Sequence, residues 1–181
     1  NRKVKYLYDP KSQDGYFPFK SENAKNSSVK DLKEFFHFYP WGKYPKELGD
    51  RTLNLYNQLI ELSSILLSWI QSQTPKNIRS LFSISLPEMI NGTENNLLRI
   101  IHYPPLDGTE NKQAIRGSAH EDINLITVLV AGTHPGLQAK DNKGNWHDVS
   151  CDTGHLAINV GDMLQEASGG YFPSTTHTRL N

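Results

Sequence analysis

Two histidines and one aspartate stand at positions from which they could bind one metal ion together. His120 and Asp122 are two residues apart, so in an extended segment both side chains point to the same side of the chain. His177 follows His120 by 57 residues, a gap long enough for several short strands to bring it back beside the pair. Two imidazoles and one carboxylate on one side of a metal leave the opposite coordination positions open, as in non-haem iron(II) oxygenases. The spacing therefore suggests an iron(II) site, because a tetrahedral zinc site more often recruits thiolates or a third histidine.

The spacing alone leaves other interpretations open. Seven histidines make chance H-x-D pairs frequent, and His120 and Asp122 could simply pair with each other at the surface. A second cluster contains five potential ligands within nine residues: His147, Asp148, Cys151, Asp152 and His155. It could suggest zinc, but it has one thiol and falls on a turn between predicted strands, so a solvated turn is the favoured interpretation.

The composition narrows the kind of ligand and the setting. Basic and acidic residues both number 19, which argues against binding of nucleic acid or an anionic membrane and favours a small-molecule or protein ligand. The richest apolar run, Leu62 to Ile70, contains three serines and is too short to span a bilayer. No secretory signal is visible, and the single cysteine cannot form an internal disulfide, so we expect a cytoplasmic protein. The chain starts without methionine and ends right after a predicted strand, so we expect that sequence is missing at both ends.

The first half of the chain predicts helices and irregular structure. Turn residues and aromatic side chains fill the first fifty residues around one short predicted helix, Val29 to Phe36, capped by Ser27 or Ser28. A long helix is predicted from Asp50 to Gln73, where apolar residues recur at helical spacing until Pro75 ends the pattern.

The second half predicts short strands separated by turns. The predicted strands are Leu97 to Tyr103, Leu125 to Val130, Leu137 to Lys140, Trp146 to Val149, Leu156 to Val160 and an extended segment from Ser174 to Leu180. A short helix is predicted from Asp162 to Ala167. Closely spaced strands of this kind indicate a sandwich or jelly roll.

Five motifs around these strands occur in the same order as in a known family. They are Ile101-His102-Tyr103-Pro104-Pro105, Ala119-His120-Glu121-Asp122, Gly136-Leu137-Gln138, Asn159-Val160-Gly161-Asp162 and Thr175-Thr176-His177. With these motifs the sequence resembles the isopenicillin N synthase-like family of iron(II)/2-oxoglutarate-dependent dioxygenases. The similarity is strong from about residue 97 to residue 181 and looser in the first half.

The resemblance implies a fold and a metal site. The fold would be mainly β with a helical N-terminal part, a distorted double-stranded β-helix (jelly roll) flanked by a long helix. Residues 1–95 would form an arm with scaffold helices packed on the core, and residues 96–181 the iron-binding double-stranded β-helix, its C-terminal end incomplete. His120, Asp122 and His177 match the family's iron ligands, and Tyr103 matches a tyrosine that commonly contacts 2-oxoglutarate.

The resemblance leaves the anchor for the far carboxylate of 2-oxoglutarate unassigned. The family has an Arg-x-Ser pair a short distance beyond the second histidine, and its arginine binds that carboxylate. No such pair follows His177 within this sequence. Arg179 lies too close to His177 to match it; it could share the inward face, but an outward, solvated side chain is the expectation. Arg99 shares a strand face with Tyr103 and is a candidate substrate-binding residue.

The expected activity is oxidation of a small-molecule substrate by hydroxylation or desaturation. Iron(II), 2-oxoglutarate and dioxygen would carry the chemistry, so no protein acid or base is expected. Three alternatives stay open: an iron oxidase of the same fold that uses no 2-oxoglutarate, a non-catalytic jelly-roll binding module, and a metal-dependent hydrolase or isomerase on a cupin-like barrel.

Overall fold

A three-stranded antiparallel sheet joins the first half of the chain to the second. The computed structural model describes residues 2–23, 28–150 and 152–180. Within them, β1 (Gly15–Phe17) pairs with β2 (Glu34–Phe38), and β2 pairs with β3 (Leu98–His102). The first part of the chain is therefore joined by β2 to the strand that leads to Tyr103.

The short helix predicted from Val29 to Phe36 is wrong. Residues 29–33 of this segment are irregular, and residues 34–36 belong to β2. Ser27, one of the two proposed caps, lies outside the described residues. Phe35 stacks on Phe17 of β1 with ring centroids 4.5 Å apart, and it pairs with Ile101 of β3. Aromatic side chains gain most from such cross-strand contacts, which override the weak local helical preference.

A helix of 23 residues, α1, spans Arg51–Gln73, within the range that the apolar spacing predicts. Asp50 precedes it but makes no capping hydrogen bond with its side chain. Leu67 of α1 is fully buried and packs with Leu86, Leu125 and Leu164. Shorter helical segments are α2 (Lys76–Arg79) and two 3-10 turns, Arg2–Tyr6 and Lys46–Leu48.

The remaining strands form two further sheets. In the four-stranded sheet the order is β4 (Gly117–His120), β9 (His177–Arg179), β6 (Leu137–Lys140) and β7 (Trp146–Asp148). The second sheet pairs β5 (Ile126–Val130) with β8 (Leu156–Val160), and α3 (Asp162–Ala167) follows β8. The strands predicted in this half are confirmed to within about two residues, except that β9 covers only part of the extended segment. β4 is a further strand, which apolar spacing did not reveal.

The fold is mostly β, with few helices. No helix in the described ranges is both long and apolar enough to cross a membrane. The apolar cluster around Leu67 lies where α1 meets β5 and α3, so it fixes the end of the second sheet from which the loop containing Asp122 emerges.

Candidate metal centre

The pairing of β4 with β9 brings the two histidines of the predicted triad together. His177 lies directly opposite His120, and the two ring centroids are 4.4 Å apart. Between Gly117 and His120 the register shifts, so that three steps along β4 face two steps along β9. This bulge brings His120 into phase with His177, since strand side chains alternate between faces.

Asp122 completes the cluster from the segment that follows β4. Its Oδ1 lies 3.7 Å from Nε2 of His120 and 3.8 Å from Nε2 of His177. One ligand atom from each of the three residues lies within 4.8 Å of the others, and all three side chains are half-buried. It is the one group of three or more potential ligands that the described residues contain.

Hydrogen bonds to the backbone fix which nitrogen of each histidine is available. Nδ1 of His120 is 2.7 Å from the carbonyl oxygen of Ser118, and Nδ1 of His177 is 3.0 Å from that of Thr175. A carbonyl only accepts, so each Nδ1 carries a hydrogen; in the neutral imidazole the lone pair that a metal binds is then on Nε2, the nitrogen nearer Oδ1 of Asp122. Burial lowers the pKa of His120, which favours the neutral imidazole that metals bind.

The carboxylate of Asp122 is held by two donors. Its Oδ2 accepts hydrogen bonds from Oγ1 of Thr127 at 2.6 Å and from Nδ2 of Asn159 at 3.0 Å. Burial by itself would raise the pKa of Asp122, but these bonds and the neighbouring histidines hold it below its usual value. The group is therefore an anion at neutral pH, as a metal ligand must be.

The loop of Asp122 is fastened to the start of α3. The backbone N–H of Asp162 donates to the carbonyl of Asp122 at 2.8 Å, and that of Met163 donates to the carbonyl of Asn124 at 3.0 Å. Gly161 lies under this loop, where an added Cβ would come within 2.6 Å of the Asp122 carbonyl oxygen. The Asn-x-Gly-Asp motif thus supports Asp122 in three ways. Asn159 donates from its side chain, Gly161 leaves space for the loop, and Asp162 donates from its backbone.

A buried acid supports the other side of the site, and sequence reasoning missed it. Asp31 is 3% exposed and accepts hydrogen bonds from the N–H and the hydroxyl of Ser118, at 3.1 and 2.7 Å. Its other oxygen is 2.9 Å from Nζ of Lys33. Asp31 therefore positions His120 indirectly, because it holds Ser118 and the carbonyl of Ser118 orients the imidazole. No local sequence signal could have shown this, since 87 residues separate Asp31 from Ser118.

Two guanidinium groups lie close to the ring of Tyr103. The centroid of its ring is 5.2 Å from Cζ of Arg179 and 5.6 Å from Cζ of Arg116. Burial raises the pKa of its phenol. The expectation of an outward, solvated Arg179 is wrong: the side chain is partly buried, it donates to the carbonyl of His134 at 2.8 Å, and its Nε is buried without a partner among the described residues. The structure thus places a cation two residues along β9 from His177.

Arg99 contacts other protein groups. Its guanidinium lies 4.7 Å from the ring centroid of Phe35, its Nη1 is 3.6 Å from Glu22, and its Nε donates to His37 at 3.0 Å. Of the alternative zinc cluster, Cys151 lies outside the described residues. His147, which belongs to the same cluster, is 62% exposed and pairs with Asp141 instead.

The donor set suits iron(II). Two imidazole nitrogens and one carboxylate oxygen lie within 4.8 Å of one another, a donor set that leaves positions on the metal for further ligands. The model of the 2OG-Fe(II) oxygenase superfamily matches residues 94–180, a range that contains all three residues of the triad. Residues 94–180 therefore belong to the 2OG-Fe(II) oxygenase superfamily.

Known proteins are similar to different parts of this chain. An oxygenase from Shewanella oneidensis is 50% identical with a TM-score of 0.87, over 100% of this chain and 65% of that one. Flavonol synthase 3 of Arabidopsis thaliana is 30% identical over 76% of this chain and 42% of its own length. The 2-oxoglutarate-dependent dioxygenase citB of Monascus ruber is 34% identical over 46% of this chain and 26% of its own length. The chain therefore spans less than half of the length of these two curated relatives.

Proposed function

We propose that the protein is an iron(II)- and 2-oxoglutarate-dependent dioxygenase that oxidises a small molecule by hydroxylation or desaturation. The observation that carries this proposal is the convergence of Nε2 of His120, Nε2 of His177 and Oδ1 of Asp122, with the other atoms of each group already engaged by the protein. These three residues would hold the iron.

The protein's own part in the reaction is positioning. When bound, iron(II) and 2-oxoglutarate supply the activation of dioxygen and the oxidation of a C–H bond. The Ser118 and Thr175 carbonyls hold both imidazoles in the metal-binding tautomer, and Thr127 and Asn159 keep Asp122 ionised and oriented. No side chain needs to move a proton, and we assign no protein acid or base.

We extend the proposal to Tyr103 and Arg179 as contacts for the far carboxylate of 2-oxoglutarate. Arg179 shares the face of β9 that carries His177, and its guanidinium lies over the Tyr103 ring. Among the described residues the guanidinium has one hydrogen-bond acceptor, the carbonyl of His134, so donors remain for a carboxylate. Arg179 does not match the family's Arg-x-Ser arginine, because it lies too close to His177.

The proposal also covers the organisation of the chain and the kind of substrate. We propose that residues 1–95 pack as an arm on a double-stranded β-helix core of residues 96–181; the antiparallel pairing of β2 with β3 supports this arrangement. A small-molecule substrate is in keeping with a structural relative from Neurospora crassa, which was crystallised in complex with alpha-KG and thymine. That relative is 20% identical with a TM-score of 0.73 and shows likeness of fold. A role of Arg99 in substrate binding stays a prediction.

The decisive experiment is anaerobic titration of the protein with iron(II) and then with 2-oxoglutarate. Chelation of the metal by the keto acid is expected to give a weak visible charge-transfer band. His120→Ala and Asp122→Ala are expected to abolish it, whereas the matched controls His147→Ala and Asp148→Ala, on exposed β7, are expected to retain it. Bound iron without a band would contradict the use of 2-oxoglutarate, and absence of bound iron would contradict the site.

A further inference from the structure

The two hydrogen bonds to Asp122 fall on one oxygen. Thr127 and Asn159 both donate to Oδ2, whereas Oδ1 faces the histidine nitrogens. A carboxylate oxygen has two lone pairs in the plane of the group, and two donors engage both of them. Oδ2 is therefore unavailable to a metal, although a carboxylate can in general bind a metal through either one or both oxygens.

The two donors form a rigid unit. Thr127 and Asn159 lie directly opposite each other in the pairing of β5 with β8. The hydroxyl of Thr127 accepts a hydrogen bond from Nδ2 of Asn124 at 2.8 Å, so its only hydrogen is directed to Asp122. Both donors thus have their direction fixed by the second sheet and by the Asp122 loop, independently of any metal.

We propose that Thr127 and Asn159 are positioning residues that restrict Asp122 to binding iron through Oδ1 alone. The inference rests on the proposed iron site and deepens it. A metal held by three protein atoms has room for a chelating keto acid and for dioxygen. If Oδ2 also bound, it would occupy one of the positions that the chelate requires.

The affinity for metal and the affinity of the metal-loaded protein for a chelating ligand are expected to change differently, whereas a general loss of structure would lower both. Removal of the donors frees Oδ2, so the metal gains a protein ligand while the chelate loses a position. Metal affinity is then retained or increased, and the affinity of the metal-loaded protein for a chelating ligand falls. If the pair only kept Asp122 in place, its removal would weaken metal binding first.

The test compares variants that remove and retain the donors. Thr127→Val keeps the branched shape without the hydroxyl, Thr127→Ser retains the hydroxyl, and Asn159→Leu removes the second donor at similar volume. Asn142→Leu, in the exposed turn after β6, is the control for an asparagine without this role. Circular dichroism and thermal unfolding of the metal-free proteins establish folding, and either donor variant tests the proposal if the other does not fold.

Two quantities are measured on each folded variant: anaerobic iron(II) affinity by competition with a chromogenic chelator, and binding of 2-oxoglutarate and of oxalate to the metal-loaded protein. In Thr127→Val and Asn159→Leu we expect iron affinity within about threefold of wild type or tighter, and affinity for both chelates lower by about tenfold or more. Thr127→Ser and Asn142→Leu are expected to match wild type. The visible spectrum of the cobalt(II) form is expected to change in the donor variants without added chelate.

Other outcomes overturn the inference in a recognisable way. Iron affinity that falls as much as chelate affinity, or chelate affinity that does not change, would show that the pair does not set the binding mode of Asp122. If the wild type binds iron and oxalate but gives no band with 2-oxoglutarate, the proposed function fails, while the oxalate data still decide this inference.

Discussion

Arg99 donates a hydrogen bond from its Nε to Nε2 of His37, with 3.0 Å between the two nitrogens. The two residues are partners in the pairing of β2 with β3, and Nδ1 of His37 is 2.8 Å from the carbonyl oxygen of Gln13. A guanidinium only donates and a carbonyl only accepts, so the ring is neutral with its hydrogen on Nδ1. Burial, followed by the charge of Arg99, lowers the pKa of His37 to about 4.

The neutral His37 predicts acid sensitivity in a defined window. Between pH 6.5 and about 4 the unfolded chain binds a proton at this imidazole that the folded protein does not. The free energy of unfolding therefore decreases as the pH falls through this window, by up to about 3 kcal/mol from this group. His37→Gln is expected to reduce that slope in urea unfolding at several pH values. His155→Gln, at a 65% exposed side chain, is expected to leave it unchanged. A wild-type slope in His37→Gln would contradict the assignment.

Gly161→Ala tests the space under the Asp122 loop. The added methyl group would come within 2.3 Å of the carbonyl oxygen of Asn124 and within 2.6 Å of that of Asp122. We expect a loss of about 2 kcal/mol of unfolding free energy and weaker metal binding, because the loop must lift from α3. Gly132→Ala, where the nearest atoms lie at an ordinary 3.7 Å, is the control. Unchanged metal affinity in a folded Gly161→Ala would show that the loop position is unimportant for Asp122.

Removal of Asp31 is expected to affect both stability and the metal site. Asp31→Ala leaves Lys33, 6% exposed, with Glu22 as its remaining carboxylate partner, and it frees Ser118. Breaking a buried ion pair costs about 3 to 5 kcal/mol. Metal affinity is expected to fall as well, because the Ser118 carbonyl no longer holds His120 in a fixed orientation. Asp152→Ala, at a 76% exposed carboxylate, should change neither quantity. Normal metal affinity in Asp31→Ala would limit Asp31 to a structural role.

Arg179→Gln tests the contact with the far carboxylate. We expect 2-oxoglutarate to bind the iron-loaded variant at least about tenfold more weakly, since a hydrogen bond to a charged group contributes about 1.5 to 3 kcal/mol. Binding of 2-oxobutyrate, which has no far carboxylate, and of iron(II) is expected to change little. Arg51→Gln, at the exposed start of α1, serves as the control. Equal weakening for both keto acids would mean that Arg179 supports the site without contacting that carboxylate.

Local sequence patterns are enough to predict most of the strands in the second half of the chain. Most strands from Leu98 onward, β4 excepted, were predictable because β-branched and apolar runs are bounded by Gly, Pro and Asn, which end them locally. The proximity of His120, Asp122 and His177 was predicted from residue types and motif order. β2 was missed because its extended form depends on β1 and β3, and β3 lies some sixty residues away.

The contacts that hold the triad residues in place could not be predicted from local sequence patterns. Asp31 contacts Ser118 across 87 residues of sequence, and the partly buried position of Arg179 depends on the pairing of β9 with β4, in which Gly117 lies opposite it. Asn159 stood within a recognised motif, yet its role as a donor to Asp122 follows only from its pairing with Thr127. Each of these contacts joins segments that are distant in the chain.

The position of β9 has a kinetic consequence. This strand of three residues is hydrogen-bonded between β4 and β6, and it carries His177 opposite His120. An ion that joins these two histidines closes a loop of 57 residues, so β9 can leave the sheet only after a metal bond breaks. Amide hydrogen exchange in β9 should then slow sharply when the site fills, while exchange in β7, at the far edge of the same sheet, should slow much less.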